Sequence, residues 1–180
     1  MKLKYILACG LFAGLVSCSE KPSAETNVGA TEEVAGGLQG LLLESAPEGA
    51  ITINELRSSA KAGDAVAFSG KLIGGDPVLI EKRAIMTLGD PAKLISCDLM
   101  GEDDHCQTPW DVCCDDSDAI KQNIVTVQAV DASGSPLKES FRGLGGIQEL
   151  SKVTVLGAVA EESNDENMIV NITGIYVQKD

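Results

Sequence analysis

Hydrophobic and polar positions alternate over residues 65–73, with Val66, Phe68, Gly70 and Leu72 on one side of a two-residue period, the pattern of a strand buried on one face. Four further runs rich in β-branched residues, 84–88, 124–130, 153–159 and 168–177, are bounded by Gly, Asp, Asn or Pro and predict four more strands. Ahead of them, Thr52 and Glu55 match a capping box, and Ile51 with Leu56 has the spacing of a hydrophobic staple. A helix is therefore expected to start at Thr52 and to end by Gly63. Leu144, Ile147 and Leu150 recur at helical spacing within residues 141–152, which predicts a short helix there despite three glycines. The earliest apolar run, residues 5–16, follows Lys2 and Lys4 and precedes Ser17. It is shorter than the roughly 20 residues that cross a bilayer, so it reads as a signal segment.

The order strand, strand, strand, short helix, strand, strand, with a glycine in the first strand that would permit a bend, resembles the OB-fold. The resemblance covers residues 64–178. It implies an all-β protein with short helices, a five-stranded barrel preceded by one helix, with a long cysteine-rich insertion, about residues 89–123, between the second and third strands. A small β-sandwich is the competing architecture. OB-folds hold ligands near the second and third strands and the loops joining strands one to two and four to five. In this sequence the later loop, residues 161–167, carries Glu161, Glu162, Asp165 and Glu166 with no base, and the earlier loop carries Asp76 and Glu81 against Lys82. Those charges repel a phosphate backbone, so nucleic acid is not an expected partner.

Leu15, Val16, Ser17 and Cys18 resemble the lipobox of bacterial lipoproteins. That resemblance implies cleavage after residue 17, lipidation of Cys18 and export to the cell envelope, with several acyl chains anchoring the protein to a membrane. Ser19 is not the aspartate that favours inner-membrane retention in enterobacteria, which points to the outer membrane over the inner. Residues 18–50, rich in Ser, Ala, Thr, Gly and Glu, read as a flexible tether, interrupted by Leu41, Leu42 and Leu43, which either dock on the domain or form a short helix. Residues 51–180 then form one domain. The full chain has a net charge of −13, more negative still once Lys2 and Lys4 leave with the signal, so the expected partners are envelope proteins or cationic ligands. Only Phe68, Trp110, Phe141 and Tyr176 remain as aromatics in the mature chain, too few for a base-stacking platform.

Residues 89–123 form a connection far longer than usual. With Cys9 in the signal and Cys18 lipidated, this stretch holds the remaining cysteines, Cys97, Cys106, Cys113 and Cys114, together with the only histidine, His105, and the only tryptophan, Trp110. From Cys97 to Asp118 inclusive there are eight acidic residues and no Lys or Arg. The element Cys-x-Thr-Pro-Trp-Asp-x-Cys-Cys from Cys106 to Cys114, with the barrel pattern and the closing run from Val170 to Val177, resembles a group of exported planctomycete-type lipoproteins. This likeness implies envelope location and domain type, and supplies no catalytic residue.

Three readings of the cysteines stand. An even number of thiols in an oxidising compartment suggests two disulfides. A bond between adjacent Cys113 and Cys114 is disfavoured, because neighbouring α-carbons lie about 3.8 Å apart, below the usual disulfide range. That leaves Cys97 with Cys113 plus Cys106 with Cys114, or Cys97 with Cys114 plus Cys106 with Cys113. The second reading is a Zn²⁺ or Cu⁺ site built from the four thiolates and His105, at spacings unlike a zinc finger. The third is thiol redox chemistry, which the surrounding acids oppose by raising thiol pKa values. Trp110 reads as a lid over this segment or the barrel mouth, or as a ligand-stacking ring. Glu102, Asp103, Asp104, Asp115, Asp116 and Asp118 lack the spacing of a calcium loop and read as a solvated face. No Gly-x-Ser-x-Gly element accompanies His105, so no catalytic residue is assigned. The sequence thus supports a non-enzymatic, membrane-anchored binding domain without cofactor, with a metal-binding envelope protein as the alternative.

Overall fold

A computed structural model describes residues 37–100 and 106–179. The signal segment, Cys18 and the tether as far as residue 36 lie outside the described residues, as do Glu102, Asp103, Asp104 and His105. In chain order the elements are β1 (Ile51–Thr52), α1 (Ile53–Ser59), β2 (Ala65–Lys71), β3 (Ile85–Gly89), α2 (Ser117–Asn123), β4 (Ile124–Gln128), β5 (Lys152–Val159) and β6 (Ile169–Val177).

The sheet closes on itself. β2 meets β3 through Lys71 and Gly89, β3 runs antiparallel to β4, β4 parallel to β6, β6 antiparallel to β5, and β5 returns along the whole of β2. The protein is therefore all-β, with a five-stranded OB-fold-like barrel and two short helices, and the sandwich alternative falls because β5 and β2 leave no open edge between two sheets. Inward positions follow the pleat: Phe68, Met86, Leu88, Val125, Val127, Val153, Val155, Val170 and Ile172 are all buried in one core. Along β6 the pairing skips Thr173, so Leu156 opposes Gly174 while Gly157 opposes Ile172. This bulge reverses which side faces inward, and the next core residue is Ile175.

α1 begins as the capping box predicts. Thr52 Oγ1 accepts from Glu55 N at 3.2 Å, and Glu55 Oε2 accepts from Thr52 N at 2.9 Å. The helix ends sooner than Gly63, where the Ala60 N–H closes onto Leu56 O. Ile53 and Leu56 are fully buried. A β-carbon on Gly70 would lie 2.7 Å from the δ-methyl of Ile53, so this glycine makes room for α1 to seat against the barrel, a tighter role than the bend the strand pattern suggested.

Two further expectations change. Residues 141–152 hold only a single 3₁₀ turn, Leu144–Gly146, because Gly143, Gly145, Gly146 and Leu150 all take positive φ. Their apolar spacing serves burial: Leu144 and Ile147 fill the core without a helix. The packed domain also starts before residue 51. A 3₁₀ helix, Gly37–Leu41, buries Leu38 and Leu41, Leu42 bridges to Ile175, and Leu43 N donates to Ile175 O at 2.8 Å. The three leucines thus both dock and end a short helix, which brings the tether's last third onto the barrel.

Candidate metal centre

The insertion between β3 and β4 is held by a small core of its own. Ile73, Leu94 and Val112 are buried together, with Trp110, Ile120, Ile124 and Leu150 packed around them. At its root the buried carboxylate of Asp90 accepts from Ala92 N at 2.9 Å and from Asn54 N, in the first turn of α1, at 3.0 Å. Asn54 also donates its side chain to Asn123 Oδ1, at the end of α2. The sequence contained no sign of this polar tie between α1 and the insertion, since none of its members carries a motif.

Within the insertion the chain doubles back. Cys97 N donates to Asp111 O at 2.9 Å and Asp98 N to Pro109 O at 2.8 Å, so the Cys97 strap lies along the segment leading to Cys113. Lys71, buried at the end of β2, fixes that strap from below. Its ammonium donates to Ser96 Oγ at 3.0 Å and to both carboxylate oxygens of Asp98, at 3.1 and 3.0 Å, gripping the residues on either side of Cys97. Ser96 Oγ also donates to Asp98 Oδ1. The charge of Lys71 is matched by Asp98, which is how a lysine can be 7% exposed in a barrel wall.

This doubling brings three sulfurs together. The Sγ atoms of Cys97, Cys106 and Cys113 all lie within 4.8 Å of one another, with Cys97 and Cys113 at 3.8 Å. Cys97 is buried, Cys106 half-buried and Cys113 exposed, so the cluster opens to one side of the insertion. Cys106 is turned onto Thr108, whose hydroxyl is 3.4 Å from the sulfur and whose carbonyl accepts from the thiol at 3.5 Å. Cys114 is exposed and stands outside the triad.

The two disulfides expected from the even cysteine count are not present among the described residues. A disulfide needs about 2.05 Å between sulfurs, and 3.8 Å is a non-bonded contact. The three thiols do match a metal. A tetrahedral zinc ion with Zn–S bonds of about 2.3 Å holds its sulfurs about 3.8 Å apart, and the wider edges of the triad need to shorten by under about 1 Å. Of the five ligands proposed for a metal, the structure gathers Cys97, Cys106 and Cys113; it leaves Cys114 outside, and His105 lies outside the described residues.

The thiols do not share one acidity. Burial pushes the Cys97 thiol up to about 12, reinforced by the neighbouring Cys106 and Cys113 sulfurs. Cys106 lies below its ordinary value because Thr108, through its hydroxyl and its backbone, hydrogen-bonds the sulfur. Cys106 is therefore a readier thiolate than Cys97, whose proton a bound metal would have to displace.

The remaining candidates are occupied in other ways. Trp110 packs against both the barrel core and the small core of the insertion, and its Nε1 donates to Asp76 Oδ1 at 3.3 Å, joining the insertion to the loop between β2 and β3. Asp115 accepts from Ile95 N, and Asp116 caps α2 by accepting from Asp118 N and Ala119 N. These carboxylates hold backbone in place. Asp118 lies 4.0 Å from Lys121 on the surface of α2. Lys71, Ser96 and Thr108 support the sulfur cluster and were missed from sequence, because Lys71 falls on the side of the strand opposite Phe68 and Leu72, where a lysine reads as solvated.

Compared with protein-family models, with curated proteins and with solved structures, the chain matches none.

Proposed function

We propose that this protein is a lipid-anchored envelope protein whose barrel domain binds a thiophilic metal ion, Zn²⁺ or Cu⁺, through Cys97, Cys106 and Cys113. The convergence of the three sulfurs within 4.8 Å carries the reading. Soft thiolates select zinc and cuprous copper over calcium or magnesium, which take oxygen donors. Three protein ligands around a tetrahedral ion leave a fourth position for solvent or another donor, as in zinc sites that exchange ligands.

The barrel supplies rigidity and the insertion supplies the ligands. The lipobox residues Leu15–Cys18 support attachment to a membrane of the cell envelope, the outer over the inner, with the metal site carried on the domain beyond the tether. The reading makes the protein a metal-binding or metal-handling component and assigns no catalytic step.

Titration of the reduced protein with Co²⁺, a spectroscopic substitute for zinc, tests this. One equivalent per chain should produce thiolate-to-cobalt charge-transfer absorption, and Zn²⁺ should displace it. A protein whose reduced thiols give no such absorption, and retain no zinc through gel filtration, would not be a metal binder of this kind.

A further inference from the structure

The three sulfurs of the cluster are not equivalent, and their differences single out two of them. The sulfur of Cys106 is turned onto Thr108, held by contacts to its hydroxyl and its carbonyl. The sulfurs of Cys97 and Cys113 face each other at 3.8 Å, one buried and one exposed, with the Cys106 sulfur within 4.8 Å of both. A disulfide between them requires these sulfurs to approach to about 2.05 Å. The exposed Cys113 side chain, unlike one locked in a core, can rotate to supply that movement.

We propose that Cys97 and Cys113 form a redox pair that closes into a disulfide on two-electron oxidation, and that closure expels the metal held by the triad. The expulsion rests on the metal reading above; the identity of the pair rests on the geometry alone. The oxidant is a disulfide, R–S–S–R, of the kind carried by thiol-oxidising proteins or small disulfides in exported compartments. The exposed Cys113 thiolate attacks one sulfur of R–S–S–R, forming a mixed disulfide, Cys113–S–S–R, and releasing R–S⁻. The Cys97 sulfur then attacks the Cys113 sulfur, forming the Cys97–Cys113 bond and releasing the second R–S⁻. Two cysteine thiolates are oxidised and one disulfide is reduced to two thiolates, which take up protons from solvent. Cys106 is then the sole thiolate left from the triad, and a single thiolate does not retain zinc. Reduction of the bond by a dithiol reverses the sequence and restores the site.

The burial order makes the direction of attack specific. An incoming disulfide reaches Cys113 first, because Cys113 is exposed while Cys97 is buried. Cys97 acts only as the resolving thiol. The pair therefore accepts oxidising equivalents from outside while its product bond lies half inside the insertion.

The test uses the purified chain carrying Cys114→Ser, which removes the neighbour of Cys113 and lets peptide mapping assign the bond. The reduced, zinc-loaded protein is treated with oxidised glutathione, and free zinc is followed with a chromophoric chelator. The expected result is a protein 2 mass units lighter, a cross-linked peptide joining Cys97 to Cys113, and release of one equivalent of zinc, reversed by dithiothreitol. Cys106→Ser should still lose 2 mass units, and Cys113→Ser should not. A bond mapped to Cys106, or zinc retained after the Cys97–Cys113 bond has formed, would overturn the proposal. Failure of the reduced protein to take up zinc would instead sink the metal reading and the release step with it, and mapping of the oxidised chain would still decide the pair.

Discussion

Lys71 shows how much of the site depends on one side chain that binds nothing itself. Its ammonium holds Ser96 and Asp98, and through them it sets where Cys97 lies. Lys71→Met would leave the Asp98 carboxylate without its cation, and breaking a partly buried pair of this kind costs about 2 kcal/mol, discounted for the exposure of Asp98. The expected outcome is a lower chemical-denaturation midpoint together with weaker zinc binding, whereas a surface lysine such as Lys61 should change neither. Cys97 adds a pH dependence. In the metal-free protein its thiol ionises near 12, above the ordinary thiol value near 9 that it regains on unfolding. The folded protein then keeps a proton that the unfolded chain has lost, so stability is complete below about pH 9 and declines as pH rises towards 12. Denaturation midpoints of the reduced, metal-free protein at pH 8 and at pH 10.5 should fall in that order, and Cys97→Ala should flatten the difference. A midpoint independent of pH over that range would show that Cys97 is not buried as described.

At the level of elements, the parts governed by local rules were legible in the sequence. Thr52 and Glu55 announced the start of α1, and alternation in the first strand with runs rich in β-branched residues in the other four located the barrel strands to within a residue or two. What could not be read was set by contacts distant in sequence. The apolar spacing of Leu144, Ile147 and Leu150 resembled a helix, but glycines at positive φ turned the same residues into a loop that still buries Leu144 and Ile147. The meeting of Cys106 with Cys97 and Cys113 depends on the backbone pairing of Cys97 and Asp98 with Asp111 and Pro109, which no spacing rule encodes. The cysteine count favoured disulfides because parity says nothing about where sulfurs meet. Two substitutions check the element-level account. Thr52→Ala removes the cap of α1 and should cost about 1 kcal/mol in thermal or denaturant unfolding. Gly70→Ala forces a methyl into the place held by Ile53 and should cost about 1 to 3 kcal/mol, and Ile53→Val in the same chain should recover part of the loss by opening the contact.

For the whole molecule, the closed barrel and the insertion divide the work between a scaffold and a site. β2 belongs to both, pairing with β5 along its length and presenting Lys71 to the insertion at its end. Asp90 and Asn123 tie the insertion's two ends to α1 through Asn54. Residues 37–43 lie along β6, which sets where the tether leaves the domain. Among the described residues no helix is long and apolar enough to cross a membrane; the proposed reading gives attachment to lipid on Cys18. Cys18→Ser should shift the protein from the membrane fraction to the soluble fraction of the envelope while leaving its zinc content unchanged. A variant that stays membrane-bound would remove the lipid anchor from the account without touching the metal centre.

The central claim is that three cysteine sulfurs hold one metal ion. X-ray absorption of the zinc-loaded, reduced protein measures this directly. The account predicts a first coordination shell with three sulfurs at about 2.3 Å. A shell of oxygen and nitrogen alone, or with one sulfur, would contradict it.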